Sequence, residues 1–318
     1  MFVLNKFLKH VLIFGSVLIA AFICLPISKD GQAYLYFYEN ASDWISTEYL
    51  FWGWLEIGDY FQAPLSLTLL PLLFLALFLK LEAFKQLGAN TWYLYPVYFS
   101  AFYLLHEGTQ LRISTALAFA LWSCVFSMRR QWYRALIFSV IAMGFHITSP
   151  LLPVVFTACY LSKKVRAWAW YVLIVGSVLY LLNISIIQIL TSQLTAILGG
   201  RYLIYSDALL DDQNTSGLAN VYATLLSILL AFLHLWSKNH IKALPQAYQA
   251  LMSTSVFGAA VLFWLYETTA VASRLSDVLA ITVVPLLAIV ISRVSIPFRL
   301  VSVILLGGFF YLRLFQLF

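Results

Sequence analysis

Residues 111–146 read LRISTALAFALWSCVFSMRRQWYRALIFSVIAMGFH, which is two apolar runs on either side of a short basic turn. The runs cover 111–128 and 132–148, and each approaches the length of about 20 residues that a helix needs to cross a bilayer. The turn carries Arg129 and Arg130, and Arg134 follows at the start of the second run; basic residues beside membrane-spanning helices collect on the cytoplasmic side. The stretch therefore predicts a membrane-spanning helical hairpin whose turn lies in the cytoplasm.

The composition extends this pattern to the whole chain of 318 residues. Hydrophobic residues make up 63% and charged residues only 10%, whereas a typical soluble domain is about 25% charged. So few charges cannot cover a water-soluble surface, which excludes a soluble, disordered or nucleic-acid-binding protein. We predict an all-α polytopic membrane protein with a single integral membrane domain over residues 1–318.

Counting apolar runs of spanning length predicts about eleven transmembrane helices. The first is interpreted as a retained span, because the residues before Pro26 offer no small-residue cleavage site for a signal peptidase. The expected spans are 8–26, 63–80, 91–106, 111–128, 132–148, 149–162, 167–190, 218–236, 247–267, 275–292 and 297–316.

The charged residues predict the orientation of these spans. With the N-terminus in the cytoplasm, the inner loops hold most of the lysines and arginines, Lys80 and Lys85 among them. All acidic residues except Glu82 then lie on the opposite side. This separation follows the preference of basic residues for cytoplasmic loops and predicts an N-in, C-out chain.

Five basic residues face outward in this topology: Lys29, Arg112, Arg201, Arg274 and Arg313. Three of them, Arg112, Arg201 and Arg274, come from separate outer segments and could converge on one polyanion, since guanidinium binds phosphate through two parallel hydrogen bonds. The alternative is that each arginine reaches the lipid headgroups or pairs with a nearby acid such as Glu107, Asp207 or Asp277.

His146 lies at the outer end of the fifth predicted span. It is a candidate general base for a hydroxyl group, and the alternative is a helix-end histidine bonded to a backbone carbonyl. Arg112 begins one helix of the hairpin and His146 ends the other, so both should return to the same outer level. The rival bases are Glu107, Asp30, Glu48 and Asp277.

The longest predicted outer loop, 27–62, is rich in tyrosine, tryptophan and phenylalanine. Such rings favour an interfacial belt with a helix lying along the membrane surface and equally a surface that stacks on sugars, and the two are compatible. The largest late outer loop is 191–217.

Several of these segments together resemble the EpsG-like and Wzy-type polysaccharide polymerases. The resemblance begins at Asp30–Tyr34 and Glu48-Tyr49-Leu50-Phe51, where Tyr49 replaces the proline that the family commonly has. It continues over Gln110–Pro153, with the arginine helix, the basic turn and Phe145-His146, and then over Arg201-Tyr202-x-x-Tyr205 to Arg274.

The resemblance implies a metal-independent, inverting glycosyltransferase without a cofactor in the bacterial inner membrane, with its active site facing the periplasm. It would join undecaprenyl-diphosphate-linked glycan units for O-antigen or capsule, among membrane lipids and with a chain-length regulator protein as a further partner. The implied catalytic residues are His146, Arg112, Arg201 and Arg274. The implied substrate-binding residues are Asp30, Tyr34, Glu48, Glu107, Tyr202, Tyr205 and Asp277.

Two other functions are compatible with the sequence. An O-antigen ligase or another polyprenyl-dependent glycosyltransferase would use the same diphosphate site with a different acceptor. A flippase for lipid-linked glycans would place ionisable residues in the middle of the membrane and use broken, repeated helices.

Overall fold

The computed structural model of the protein describes residues 2–39, 48–184, 216–240, 245–266 and 268–294, and every regular element in these ranges is helical. The described helices form two compact units. The first reaches Val154 and resumes at Val284, and the second is Val155–Val283. The single integral membrane domain stays a prediction.

Within the described residues, the first unit contains seven helices, the first turn of α8 and the return segment α13, and the remainder of α8 belongs to the second unit. The α1 helix continues through a π-helical turn, Ala20–Cys24, and a short turn, Leu25–Ile27. The α5 helix likewise continues through a π-helical turn, Phe99–Tyr103, into Leu104–His106. The bounds are α1 Phe2–Ile19, α2 Lys29–Glu39, α3 Tyr49–Tyr60, α4 Leu65–Gln86, α5 Thr91–Tyr98, α6 Leu111–Met128, α7 Trp132–Phe145, α8 Leu151–Leu161 and α13 Val283–Arg293.

The second unit contains α9 Lys163–Leu181, α10 Ser216–His240, α11 Gln246–Trp264 and α12 Thr269–Ala280. The α9 and α11 helices pack closely, and the Trp264 indole donates a hydrogen bond of 2.9 Å to the Val172 carbonyl. The α11 helix also approaches α12 at Gly258, where a Cβ would lie 3.1 Å from the Ala280 nitrogen.

Five described helices are long and apolar enough to cross a membrane: α4, α6, α9, α11 and, within α10, Val221–Asn239. The α12 and α13 helices form a sixth candidate if the pair, which is bent by 42°, counts as one span, and the span predicted over 275–292 falls on this bent pair. The total of eleven and the orientation stay predictions, and the span expected at 297–316 lies outside the described residues.

The α6 helix is the centre of the first unit. Next to its C-terminal end, Arg129 Nη2 hydrogen-bonds to Gln86 at the end of α4, so α4 and α6 run parallel. It runs antiparallel to α7, and the rings of Phe119 and Phe145 stack with centroids 5.6 Å apart. This alternation is the one expected for consecutive spans.

The expected loop 27–62 contains the α2 and α3 helices. Phe51 and Trp52 are buried in the first unit, whereas Tyr60 and Phe61 are exposed. The aromatic residues of this segment therefore divide between the protein interior and its surface.

The assignment of Lys80 to a cytoplasmic loop is wrong. The α4 helix extends six residues beyond the predicted end at 80, and the Lys80 side chain is fully buried. Its ammonium lies 2.6 Å from the Glu107 carboxylate, so a buried ion pair, and not contact with water, compensates its charge.

Candidate functional site

Glu48 joins Arg112 to His146 at one end of the first unit. Its Oε2 atom accepts a hydrogen bond of 2.7 Å from Arg112 Nη1, and its Oε1 atom lies 2.5 Å from His146 Nδ1. The Glu48 and His146 side chains are 7% and 9% exposed, and that of Arg112 is 29% exposed. The helical hairpin thus returns Arg112 and His146 to one carboxylate, which we call the Glu48 cluster.

Close helix packing brings Glu48 into this position. Its backbone carbonyl accepts hydrogen bonds from the first turn of α3, which fixes Glu48 at the start of that helix. A Cβ on Gly144 would lie 2.7 Å from the Leu50 side chain. A side chain at Gly144 would force Leu50 to move, so the glycine lets α3 approach the end of α7 closely, two residues before His146.

The environment of Glu48 favours its charged form. Burial alone would raise the pKa of this carboxyl, but the hydrogen bond from His146 and the charge of Arg112 outweigh it and lower the pKa below the ordinary 4.5. Glu48 is therefore a carboxylate at neutral pH and can only accept hydrogen bonds.

This assignment fixes the proton on His146. Because the carboxylate accepts, Nδ1 carries the proton and donates it to Glu48. The Nε2 atom is buried, and no described residue hydrogen-bonds to it. The histidine side chain thus pairs with a carboxylate and not with a backbone carbonyl, which was the alternative expected from the sequence. In the neutral imidazole, the lone pair of Nε2 can accept a proton.

Tyr34 packs on the other side of Arg112. Its ring centroid lies 5.7 Å from the guanidinium carbon, and its hydroxyl oxygen lies 3.5 Å from the Arg112 backbone nitrogen. The Tyr34 ring also contacts Phe51 of α3. Arg112 is consequently held in place, and its charge is shared with Glu48.

A cavity of about 250 Å³ adjoins Tyr34, which forms part of its wall. The remainder of the lining is mostly apolar and comes from the end of α1 and from α2 and α4. It consists of Ala21, Leu25, Pro26, Gly31, Gln32, Leu35, Leu65, Ser66 and Leu69.

The other candidate residues belong to other elements or are outside the described residues. Arg274 and Asp277 belong to α12 of the second unit, where Arg274 is exposed and Asp277 is buried. Asp30 lies in α2. The positions of Arg201, Tyr202 and Tyr205 are outside the described residues.

Glu107 belongs to a second buried cluster, with Lys80, Tyr98 and Ser114. Its carboxylate is 1% exposed and accepts hydrogen bonds from all three side chains, so both of its oxygens already have donors. The sequence analysis missed Lys80 as its partner. The spacing of Leu73, Leu77, Lys80 and Phe84 does place Lys80 on the buried face of α4.

A helical, multi-pass membrane protein with a buried carboxylate–histidine–arginine cluster is the class that this fold and site define. Among the described residues, no group of three histidine, cysteine or acidic side chains is arranged to hold a metal ion. The chain belongs to the EpsG family, the family of Wzy-like polysaccharide polymerases, whose model matches residues 6–318. Comparison with curated proteins and with solved structures gives no match.

Proposed function

We propose that the protein is a polymerase that joins undecaprenyl-diphosphate-linked oligosaccharide units at the outer face of the bacterial inner membrane. The donor is a growing glycan on its lipid diphosphate, and the acceptor is one lipid-linked repeat unit. The observation that carries the proposal is the Glu48 cluster, in which the buried Nε2 atom of His146 has no hydrogen-bond partner among the described residues.

The His146 imidazole is the proposed general base. Its Nε2 atom takes the proton of the acceptor hydroxyl while that oxygen attacks the anomeric carbon of the donor. The bond from this carbon to the diphosphate oxygen breaks on the opposite side, so a single displacement inverts the anomeric configuration. Glu48 holds the imidazole in the required tautomer and stabilises the imidazolium that forms.

The charge of the Glu48 cluster supports this mechanism. With a neutral His146, the charges of Arg112 and Glu48 cancel; after proton transfer the cluster carries one net positive charge. That charge appears as the leaving diphosphate gains negative charge, so the cluster stabilises the transition state more than the bound substrate. Arg201 and Arg274 are proposed as further cations for the diphosphate.

The cavity beside Tyr34 supports a lipid-linked donor. A polyprenyl diphosphate carries its apolar chain next to its charged group, so a site for the chain must adjoin the site for the diphosphate. Tyr34 contacts Arg112 on one side and lines the mostly apolar cavity on the other. The first isoprene units of the donor are proposed to occupy this cavity.

The test is polymerisation by the purified protein in lipid nanodiscs, supplied with lipid-linked repeat units. We expect a ladder of glycan lengths and released undecaprenyl diphosphate, with no loss of activity after a chelator is added. The matched controls are His146→Gln, which should give no ladder, and His234→Gln in the second unit, which should behave as the wild type. Movement of the lipid-linked unit across a bilayer without any ladder would instead identify a flippase.

A further inference from the structure

The buried ion pair between Lys80 and Glu107 is not used in the mechanism above. The two side chains are 0% and 1% exposed, and their charged atoms are 2.6 Å apart. Lys80 is the sixteenth residue of the 22-residue apolar helix α4, a candidate membrane span, so the pair would lie within the membrane if α4 crosses it. Charged side chains are costly there and are retained where they have a specific role.

Hydrogen bonds connect all four side chains of this second cluster, Lys80, Tyr98, Glu107 and Ser114. The Lys80 ammonium donates to the Tyr98 hydroxyl at 2.9 Å, to Ser114 Oγ at 2.7 Å and to Glu107 Oε1. The two hydroxyls in turn donate to the Glu107 carboxylate. All three protons of the ammonium are therefore used, and four segments of chain meet at one point: α4, α5, the turn after it and α6.

The cluster holds the same turn of α6 that carries Arg112. Ser114 follows Arg112 by two residues, which places their side chains about 200° apart around the helix. Glu48 therefore contacts one side of the first turn, and Lys80 with Glu107 contacts the other. A shift of α6 would break hydrogen bonds to a buried charge, which costs more than a shift of an apolar contact.

We propose that Lys80 and Glu107 are positioning residues that fix the first turn of α6 and thereby hold Arg112 on Glu48. The part of this proposal that concerns the reaction rate rests on the proposed function. Arg112 must stay within hydrogen-bond distance of Glu48 to set the charge of the cluster, and a misplacement of about 1 Å can cost about 100-fold in rate. The role is exerted through Arg112, with no contact to substrate.

The test removes both charges together, because either single change would leave a lone charge buried and could prevent folding. The double variant Lys80→Met with Glu107→Gln is made in the wild-type background and in an Arg112→Lys background. We expect kcat/KM to fall about 30-fold in the first background and less than about threefold in the second, since the pair acts through the arginine. The matched control is Lys85→Met with Glu82→Gln, which removes a partly exposed ion pair from the same helix and should leave both backgrounds unchanged.

A second measurement needs no substrate. An arginine-specific dicarbonyl reagent is applied to the folded protein, and the modification of Arg112 is followed by peptide mass spectrometry. We expect Arg112 to react faster in the double variant than in the wild type, as it should in Glu48→Gln. Equal losses of kcat/KM in both backgrounds, or an unchanged rate of Arg112 modification, would overturn the proposal. A wild-type protein without polymerase activity would contradict the proposed function, and the modification rate would still decide this inference.

Discussion

At the residue scale, the structure changes the role of Glu48 from a rival of His146 to its partner. The sequence identified Glu48, Arg112 and His146 separately, from a motif, a charge anomaly and a helix end. It could not show that one carboxylate contacts both other residues, because Glu48 is 64 residues from Arg112 and 98 from His146. Contacts at such separations depend on helix packing, here on the close approach at Gly144.

The first prediction concerns His146. Replacement by alanine or by glutamine should lower turnover by about 100-fold or more, because neither side chain can accept the hydroxyl proton. Binding of the lipid-linked donor should change little. Turnover by the purified variants and donor binding measured separately test this. Near-normal turnover of His146→Gln would make His146 a positioning residue and return the search for a base to the carboxylates.

The second prediction concerns the charge of Glu48. Because its pKa is lower in the folded protein than the ordinary 4.5, ionised Glu48 stabilises the fold above that pH, and the contribution disappears as the pH falls through the folded value. Glu48→Gln should therefore unfold at a lower temperature than the wild type at about pH 7, and the difference should shrink as the pH falls below 4.5. Thermal unfolding in detergent tests this, and a difference independent of pH would show that Glu48 contributes no charge-dependent stability.

At the element scale, the sequence predicted α6 with both ends correct, because its apolar run begins at a polar turn and stops at consecutive arginines. It ended α4 too early, because a lysine in an apolar run was interpreted as a loop charge. The partner that keeps Lys80 buried, Glu107, lies 27 residues away. The break between α12 and α13 has a local cause: the ring of Pro285 would clash with the carbonyl of Ile281 in a continuous helix.

The third prediction concerns the cavity between α1, α2 and α4. Leu69→Trp should fill part of it and raise KM about tenfold for a donor with a long polyprenyl chain, the effect of losing the burial of about two methylene groups at about 0.8 kcal/mol each. A donor with a short alkyl chain should be unaffected. Leu75→Trp, at an exposed position of the same helix, is the matched control. An equal rise of KM for both donors would contradict chain binding in this cavity.

At the scale of the whole molecule, the ends of the described helices in the first unit agree with the alternation predicted from charge. Glu48, Arg112 and His146 come from three segments assigned to the outer side, and they meet. Gln86 and Arg129, assigned to the inner side, also meet. The contact of Lys80 with Glu107 departs from this pattern, and the orientation of the helices stays a prediction.

The fourth prediction fixes which end of the first unit faces the outside. Cys24, Cys124 and Cys159 are buried and are first replaced by alanine. Single cysteines are then placed at exposed positions: Asp59 at the end of α3, Asn90 before α5 and Gln131 before α7. A membrane-impermeant maleimide should label Asp59→Cys in intact spheroplasts, and it should label Asn90→Cys and Gln131→Cys only after permeabilisation. The opposite pattern would place the Glu48 cluster at the cytoplasmic face, where it could not act on glycan units presented outside, and the proposed polymerisation at the outer face would have to be abandoned.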